Sequence, residues 1–332
     1  MVDRRRITER LARVTRTGAF QVVVGTLSGA VIILLGVVIS ALIFGAYGWG
    51  LFVLTPFVVG FTTGYLVNLH ERQTMKATSR LVLVAAALGY LGLILFALEG
   101  LICLLLASPL AALFAIAGGY WGRRAARAGK DSSGPLYCLA LLPAMFAADA
   151  ASPPSVTMLT DESIVIEAAA PRVWQALTSQ EPIRERPTLA GRLGLAYPER
   201  AALRGTGVGA TRTGYFSTGQ AQERITHWQE GRVLGFLVLR QPPAMEEMSP
   251  HRRVYAPHLD GYFETGETRF EIRPLTAQRT RLSIRAAHRL AIDPVVYWEP
   301  IARWAVQSNT HRVLRDMKMK AEGRLGAIKG AA

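Results

Sequence analysis

A chain of 332 residues, half of them hydrophobic, with 38 Lys+Arg against 24 Asp+Glu and a net charge of +14, is long enough for two domains. Only two cysteines occur, Cys103 and Cys138, both inside apolar runs, which excludes a disulfide framework and any CxxC or Cys/His zinc spacing. The positive balance does not read as a nucleic-acid footprint. In residues 1–160 the basic residues cluster between apolar runs, and in residues 161–332 arginines interleave with acids rather than forming one stripe.

Residues 1–18 carry six arginines, from Arg4 to Arg16, and read as a cytoplasmic basic lead-in. No Asp, Glu, Lys or Arg occurs from Thr17 to His70, a length that suits two helices in lipid, since one span needs about 20 apolar residues. Residues 19–151 form the expected transmembrane region, with spans at about 24–46, 50–69, 81–98 and 101–121 and a further candidate at 135–151. The amino terminus, the loop bearing Arg72, Lys76 and Arg80, and the stretch Arg123–Lys130 fall on one side, and the intervening turns lack Lys and Arg. Positive charge marks the cytoplasmic side, so this pattern places the amino terminus there. Pro135–Ala151 carries Pro143 and ends near Asp149. Five spans put the C-terminal domain outside the cytoplasm, in the periplasm of an inner-membrane protein; four put it inside. Gly25-x3-Gly29 and Gly60-x3-Gly64 offer small faces for close helix packing, within the chain or between copies. No span holds an ionisable residue near its middle, so this half reads as an anchor rather than a conduit.

After a linker at 152–160 the periodicity changes. Ser163–Ala168 reads as a strand, and Ala170-Pro-Arg-Val-Trp begins a helix with Pro171 in its first turn, where a missing N–H is harmless. Turn-marked strands follow through Arg281–Ile292, and one long helix runs from Pro294 onward, best from Pro300, to about Leu325. The opening strand with its Ala-Pro-Arg-Val-Trp, the Gly205-x-Gly-x-Gly209 turn, Ile225-Thr-His-Trp228 before Gly231–Phe236, and Thr280-Arg-Leu282 together resemble the START-like superfamily, also called SRPBCC or polyketide cyclase/dehydrase-like. The resemblance covers 161–326, leaves 327–332 as a tail, and does not extend to the membrane half. It implies a helix-grip α+β fold behind an α-helical transmembrane bundle: an antiparallel sheet holding a long C-terminal helix over a cavity for a hydrophobic molecule.

The glycine triplet is no nucleotide loop, because Thr211-Arg-Thr213 continues as strand where a helix would be needed; the glycines supply positive φ to a hairpin. The six histidines show no HxH or HExxH pairing, so no metal or cofactor site is expected. His288 shares its strand face with Leu282, Ile284 and Ala286, as a ligand contact or as a histidine satisfied by a neighbouring hydroxyl. His258 falls in an insertion that opens with Gln241-Pro-Pro243. These two histidines are the weak candidates for catalysis, and neither has a recognisable nucleophile beside it. On the final helix, Tyr297, Trp298, Ile301 and Trp304 form an apolar face that Gln307–His311 interrupts; buried polar groups there need partners.

The expected ligand contacts are Tyr215, Trp228, Phe236, His258, Tyr262, His288, Trp304 and Ser308. Strand Val233–Leu239 is apolar on both faces, so its outer face can meet the bilayer surface, a protein partner or a second copy. The reading is a membrane-anchored protein that binds a hydrophobic small molecule or lipid. Two rivals stay open: a cyclase- or hydrolase-type enzyme, and an assembly protein without a ligand.

Overall fold

The computed structural model describes residues 18–129, 134–251 and 260–323. Most of the basic lead-in, His258 and the tail at 327–332 lie outside the described residues. The chain divides into two compact units, one comprising residues 1–153 and 247–257, the other 154–246 and 258–332.

The first unit is helical. Helix α1 (Gly18–Val37) continues as a π-helical stretch, Val38–Ile43. A second π-helical stretch, Gly50–Leu54, leads into α2 (Thr55–Leu66), followed by α3 (Met75–Leu95), α4 (Leu101–Arg127) and α5 (Gly134–Ala151). Among the described residues, three helical segments are long and apolar enough to cross a membrane: Gly18–Ile43, Met75–Leu95 and Leu101–Arg127. Gly50–Leu66 and Tyr137–Ala151 are shorter apolar helices. Four or five spans were expected; by length and composition three stand out among the described residues.

Glycines bring α2 and α4 into backbone contact. A Cβ on Gly64 would stand 2.8 Å from Gly119 Cα, and one on Gly118 would stand 2.8 Å from the Phe61 nitrogen. Gly25 and Gly29 of α1 likewise face Thr63, and the Thr63 hydroxyl donates to the Gly25 carbonyl at 3.1 Å. Both glycine pairs are thus used within the chain. Polar groups at the helix ends are bonded: the Tyr47 hydroxyl donates to Glu99 at 2.9 Å, and Asp149 accepts from the Gly50 N–H at 2.7 Å.

The second unit is built on one sheet of seven antiparallel strands: β1 (Val156–Ile166), β2 (Pro198–Arg204), β3 (Thr211–Phe216), β4 (Gly219–Gln229), β5 (Val233–Arg240), β6 (Phe263–Thr276) and β7 (Arg279–Leu290). Their order in the sheet is β1-β7-β6-β5-β4-β3-β2. Helices α6 (Ala170–Thr178), α7 (Leu189–Arg192) and the long α8 (Val295–Ala321) complete it. Register shifts in β2, β4 and β6 mark bulges, which bend a sheet and raise its twist.

One face of this sheet carries the core. Ile166, Ile225, Leu234, Phe270 and Leu282 pack with Val173, Trp174 and Leu177 of α6 and with Leu314 and Ala321 of α8. The outer side of β5 exposes Leu237 and Leu239. Gly205, Gly207 and Gly209 all take φ near +90° in the β2–β3 connection, a left-handed backbone that other residues rarely adopt.

Two boundaries differ from expectation. Strand β1 begins at Val156, because all eleven of its residues find partners along β7, from Val156 opposite Leu290 to Ile166 opposite Thr280. Helix α8 begins at Val295: the Tyr297 and Trp298 N–H groups already donate to the Pro294 carbonyl, at 2.9 and 3.1 Å. Pro300 therefore lies inside the helix rather than at its start.

Candidate functional site: a cavity under the last helix

A cavity of about 240 Å³ lies between the inner face of the sheet and α8. Its walls are mainly apolar. Phe216, Phe236, Phe263, Phe270 and Ile284 come from the strands, and Val306, Val313 and Met317 from α8. Alternation along β7 buries Leu282, Ile284, Ala286 and His288 together, so period-two spacing brings the imidazole to the hollow.

His288 is 6% exposed. Its ring stacks on Phe263 with centroids 5.4 Å apart, and Nδ1 is 3.1 Å from the Thr265 hydroxyl. Burial among these groups pushes its pKa down to about 4, so the imidazole is neutral near pH 7. Nε2 is buried and has no hydrogen-bond partner among the described residues.

Asn309 of α8 carries a second such atom. Its Nδ2 donates to the Ala196 carbonyl at 2.7 Å. A carbonyl only accepts, so this bond fixes the amide with Oδ1 turned the other way. Oδ1 is buried and unpaired among the described residues.

Three charged side chains of the wall, Arg212, Asp316 and Lys320, are paired. Arg212 on β3 pairs with Glu223, its cross-strand neighbour on β4, and the guanidinium lies 4.2 Å from the Phe236 ring centroid. Burial raises the Glu223 carboxyl above its usual range, and Arg212 restrains that rise. Lys320 pairs with Asp316 at 2.9 Å, and Asp316 also accepts from the Arg184 and Glu185 backbone N–H groups at 2.7 and 3.2 Å. On the opposite face, Arg200 stacks 3.5 Å from the ring centroid of Tyr215, its cross-strand partner.

Of the expected ligand contacts, Phe236 and His288 line the cavity. The others described stand elsewhere. Tyr215 alternates with the cavity residues Gly214 and Phe216, which turns it to the opposite face. Trp228 packs edge-on against Trp174, with centroids 5.2 Å apart, and so belongs to the core. Tyr262 is half-buried outside the lining, and its carbonyl accepts from the Ala291 N–H at 2.8 Å. Trp304 is 44% exposed. Ser308 sits one residue off the cavity face of α8, whose lining positions are Val306, Asn309, Thr310, Val313, Asp316, Met317 and Lys320.

That three-and-four spacing would have selected Asn309 from the sequence. Arg212 and Glu223 carried a weaker signal: Glu223 alternates with Ala221 and Ile225 on the buried face of β4.

Thr265 is the polar neighbour of His288, and no Ser or Cys nucleophile hydrogen-bonds to it among the described residues. A base of pKa about 4 is a weak proton acceptor near neutrality. No group of three or more His, Cys, Asp or Glu side chains among the described residues is placed to hold a metal ion.

No protein-family model matches the sequence, and no curated protein matches it. Solved structures similar to it include the Zhui aromatase/cyclase from Streptomyces sp. R1128, at 14% identity over 51% of this chain and 96% of that one, with a TM-score of 0.36. A START superfamily protein from Mycobacterium smegmatis is 12% identical over 51% of this chain and 98% of its own, with a TM-score of 0.32. A norcoclaurine synthase variant from Thalictrum flavum is 13% identical over 49% and 96%, with a TM-score of 0.31.

Proposed function

We propose that this chain is a membrane-anchored, START-like protein that holds a hydrophobic small molecule in the cavity under α8. The observation that carries the reading is the cavity itself: apolar walls over most of its surface, with buried polar atoms of His288 and Asn309 left unpaired among the described residues. Apolar hollows with a few placed polar groups are the common form of a small-molecule site. An unpaired buried polar atom costs about 1–3 kcal/mol, which a bound molecule can recover. Binding is favoured over catalysis because the cavity imidazole is weakly basic and has no Ser or Cys nucleophile bonded to it among the described residues.

The anchor is proposed to cross the bilayer five times, with the amino terminus cytoplasmic and the C-terminal domain on the opposite side. The basic loops at Arg72–Arg80 and Arg123–Lys130 support that arrangement. Under it the two shorter helices complete the bundle.

Photolabelling tests the binding role. The full chain in lipid nanodiscs is irradiated with a ten-carbon alcohol bearing a diazirine, and labelled peptides are mapped. Label on the strands around Phe236, Phe270 and Ile284, lost in Ala286→Trp, is the expected result. Label confined to α1–α5 in both proteins would overturn the reading.

A further inference from the structure

The cavity's polar atoms discriminate between chemical classes of hydrophobe, and this inference rests on the binding role proposed above. Asn309 Oδ1 is an acceptor and nothing else, since Ala196 holds its amide nitrogen. His288 Nε2 presents a donor or a lone pair according to its tautomer, and the Thr265 hydroxyl at Nδ1 can partner either one, as acceptor or as donor. A hydroxyl can satisfy either atom, because it both donates and accepts, and Asn309 Oδ1 specifically requires a donor. A carboxylate has no proton for Asn309, and a bare hydrocarbon leaves both atoms unpaired.

An anion is disfavoured on a second ground. Arg212 is committed to Glu223 and Lys320 to Asp316. A carboxylate entering this space would have to break one of these arrangements to find a counter-charge, at the desolvation cost of any buried ion.

Size narrows the class further. An apolar cavity of about 150 Å³ accepts benzene, so about 240 Å³ suits a compact molecule of one or two rings or a short branched chain. A two-chain phospholipid does not fit within it.

We propose that the ligand is a small neutral hydrophobe bearing a hydroxyl group, an alcohol or a phenol, seated with that hydroxyl donating to Asn309 Oδ1. Fatty acids and diacyl lipids are not ligands of this cavity.

The test uses the full chain in nanodiscs, with empty nanodiscs as the reference for partitioning, and three probes of one shape. These are 2-naphthol, 2-methylnaphthalene, which replaces the hydroxyl by a methyl group, and 2-naphthoate. Calorimetric titration should show 2-naphthol binding at least tenfold more tightly than either of the others. In Asn309→Leu that preference should fall several-fold while 2-methylnaphthalene still binds. The wild-type ranking stands alone if the variant does not fold. Equal binding of 2-naphthol and 2-methylnaphthalene would overturn this inference and leave the binding role intact, as would tighter binding of 2-naphthoate. Failure of all three probes to bind beyond empty nanodiscs would overturn both.

Discussion

Arg212 and Glu223 stand opposite one another on β3 and β4, with only 3% of the acid's side chain exposed. Removing one partner strands a buried charge, whereas removing both leaves an apolar wall. Arg212→Met should therefore cost about 3–5 kcal/mol, and Arg212→Met with Glu223→Leu should cost much less, as read by chemical denaturation of the full chain. A double variant as unstable as the single one would mean that the pair does more than neutralise itself. His288 sets a pH dependence. Its pKa is depressed from the ordinary 6.5 to about 4, so between those values the unfolded chain binds a proton that the folded one does not. Stability is then complete above about pH 6.5 and falls as pH is lowered toward 4, by about 3 kcal/mol in total. His288→Leu should flatten that part of the profile of melting temperature against pH, and an unchanged slope would place the titrating group elsewhere. The inward direction of His288 was legible in the sequence, because alternation is strict along β7. Asn309 was missed by one residue: the polar run Gln307–His311 hides which of its members faces inward, and only the helical period through Val306, Val313 and Met317 resolves it.

At the scale of elements, α8 works through one stripe. Leu314 is 1% exposed within the core, whereas Trp304 is 44% exposed despite its size. Leu314→Ala should cost about 2–5 kcal/mol, and Trp304→Ala should stay within about 0.5 kcal/mol, both measured by thermal or chemical denaturation. The contrast shows why an aromatic cluster at the start of a helix misleads: an exposed tryptophan and a buried one look alike in sequence. In α2 and α4 the glycines are contact residues, since carbonyls and nitrogens of the facing helix occupy the space a side chain would need. Gly118→Leu should lower the yield of monodisperse protein in detergent and depress its melting temperature, while Leu113→Ala, at a residue 62% exposed, should not. The pattern Gly60-x3-Gly64 was visible in the sequence, but its partner was not, because spacing alone does not separate packing within a chain from packing between copies. The first strand was legible only from Ser163. Its earlier residues are fixed by pairing with the far end of β7, a contact across more than a hundred residues that local propensity does not encode.

For the molecule as a whole, the division between an apolar helical unit and a sheet unit follows from composition, which changes sharply near residue 155. The number of crossings does not, since the helices Gly50–Leu66 and Tyr137–Ala151 are too short for length alone to place them. With five spans, an alkaline phosphatase fused to the carboxyl terminus should be active outside the cytoplasm; an active cytoplasmic reporter there would mean an even number of spans. The account turns on the hollow beneath α8 being a place where a guest resides. Native mass spectrometry of the full chain released from detergent after incubation with 2-naphthol tests that most directly. The wild type is predicted to carry one molecule of added mass, and Ala286→Trp, which fills the space, is predicted to carry none. Equal adducts on both proteins, or no adduct on either, would contradict it.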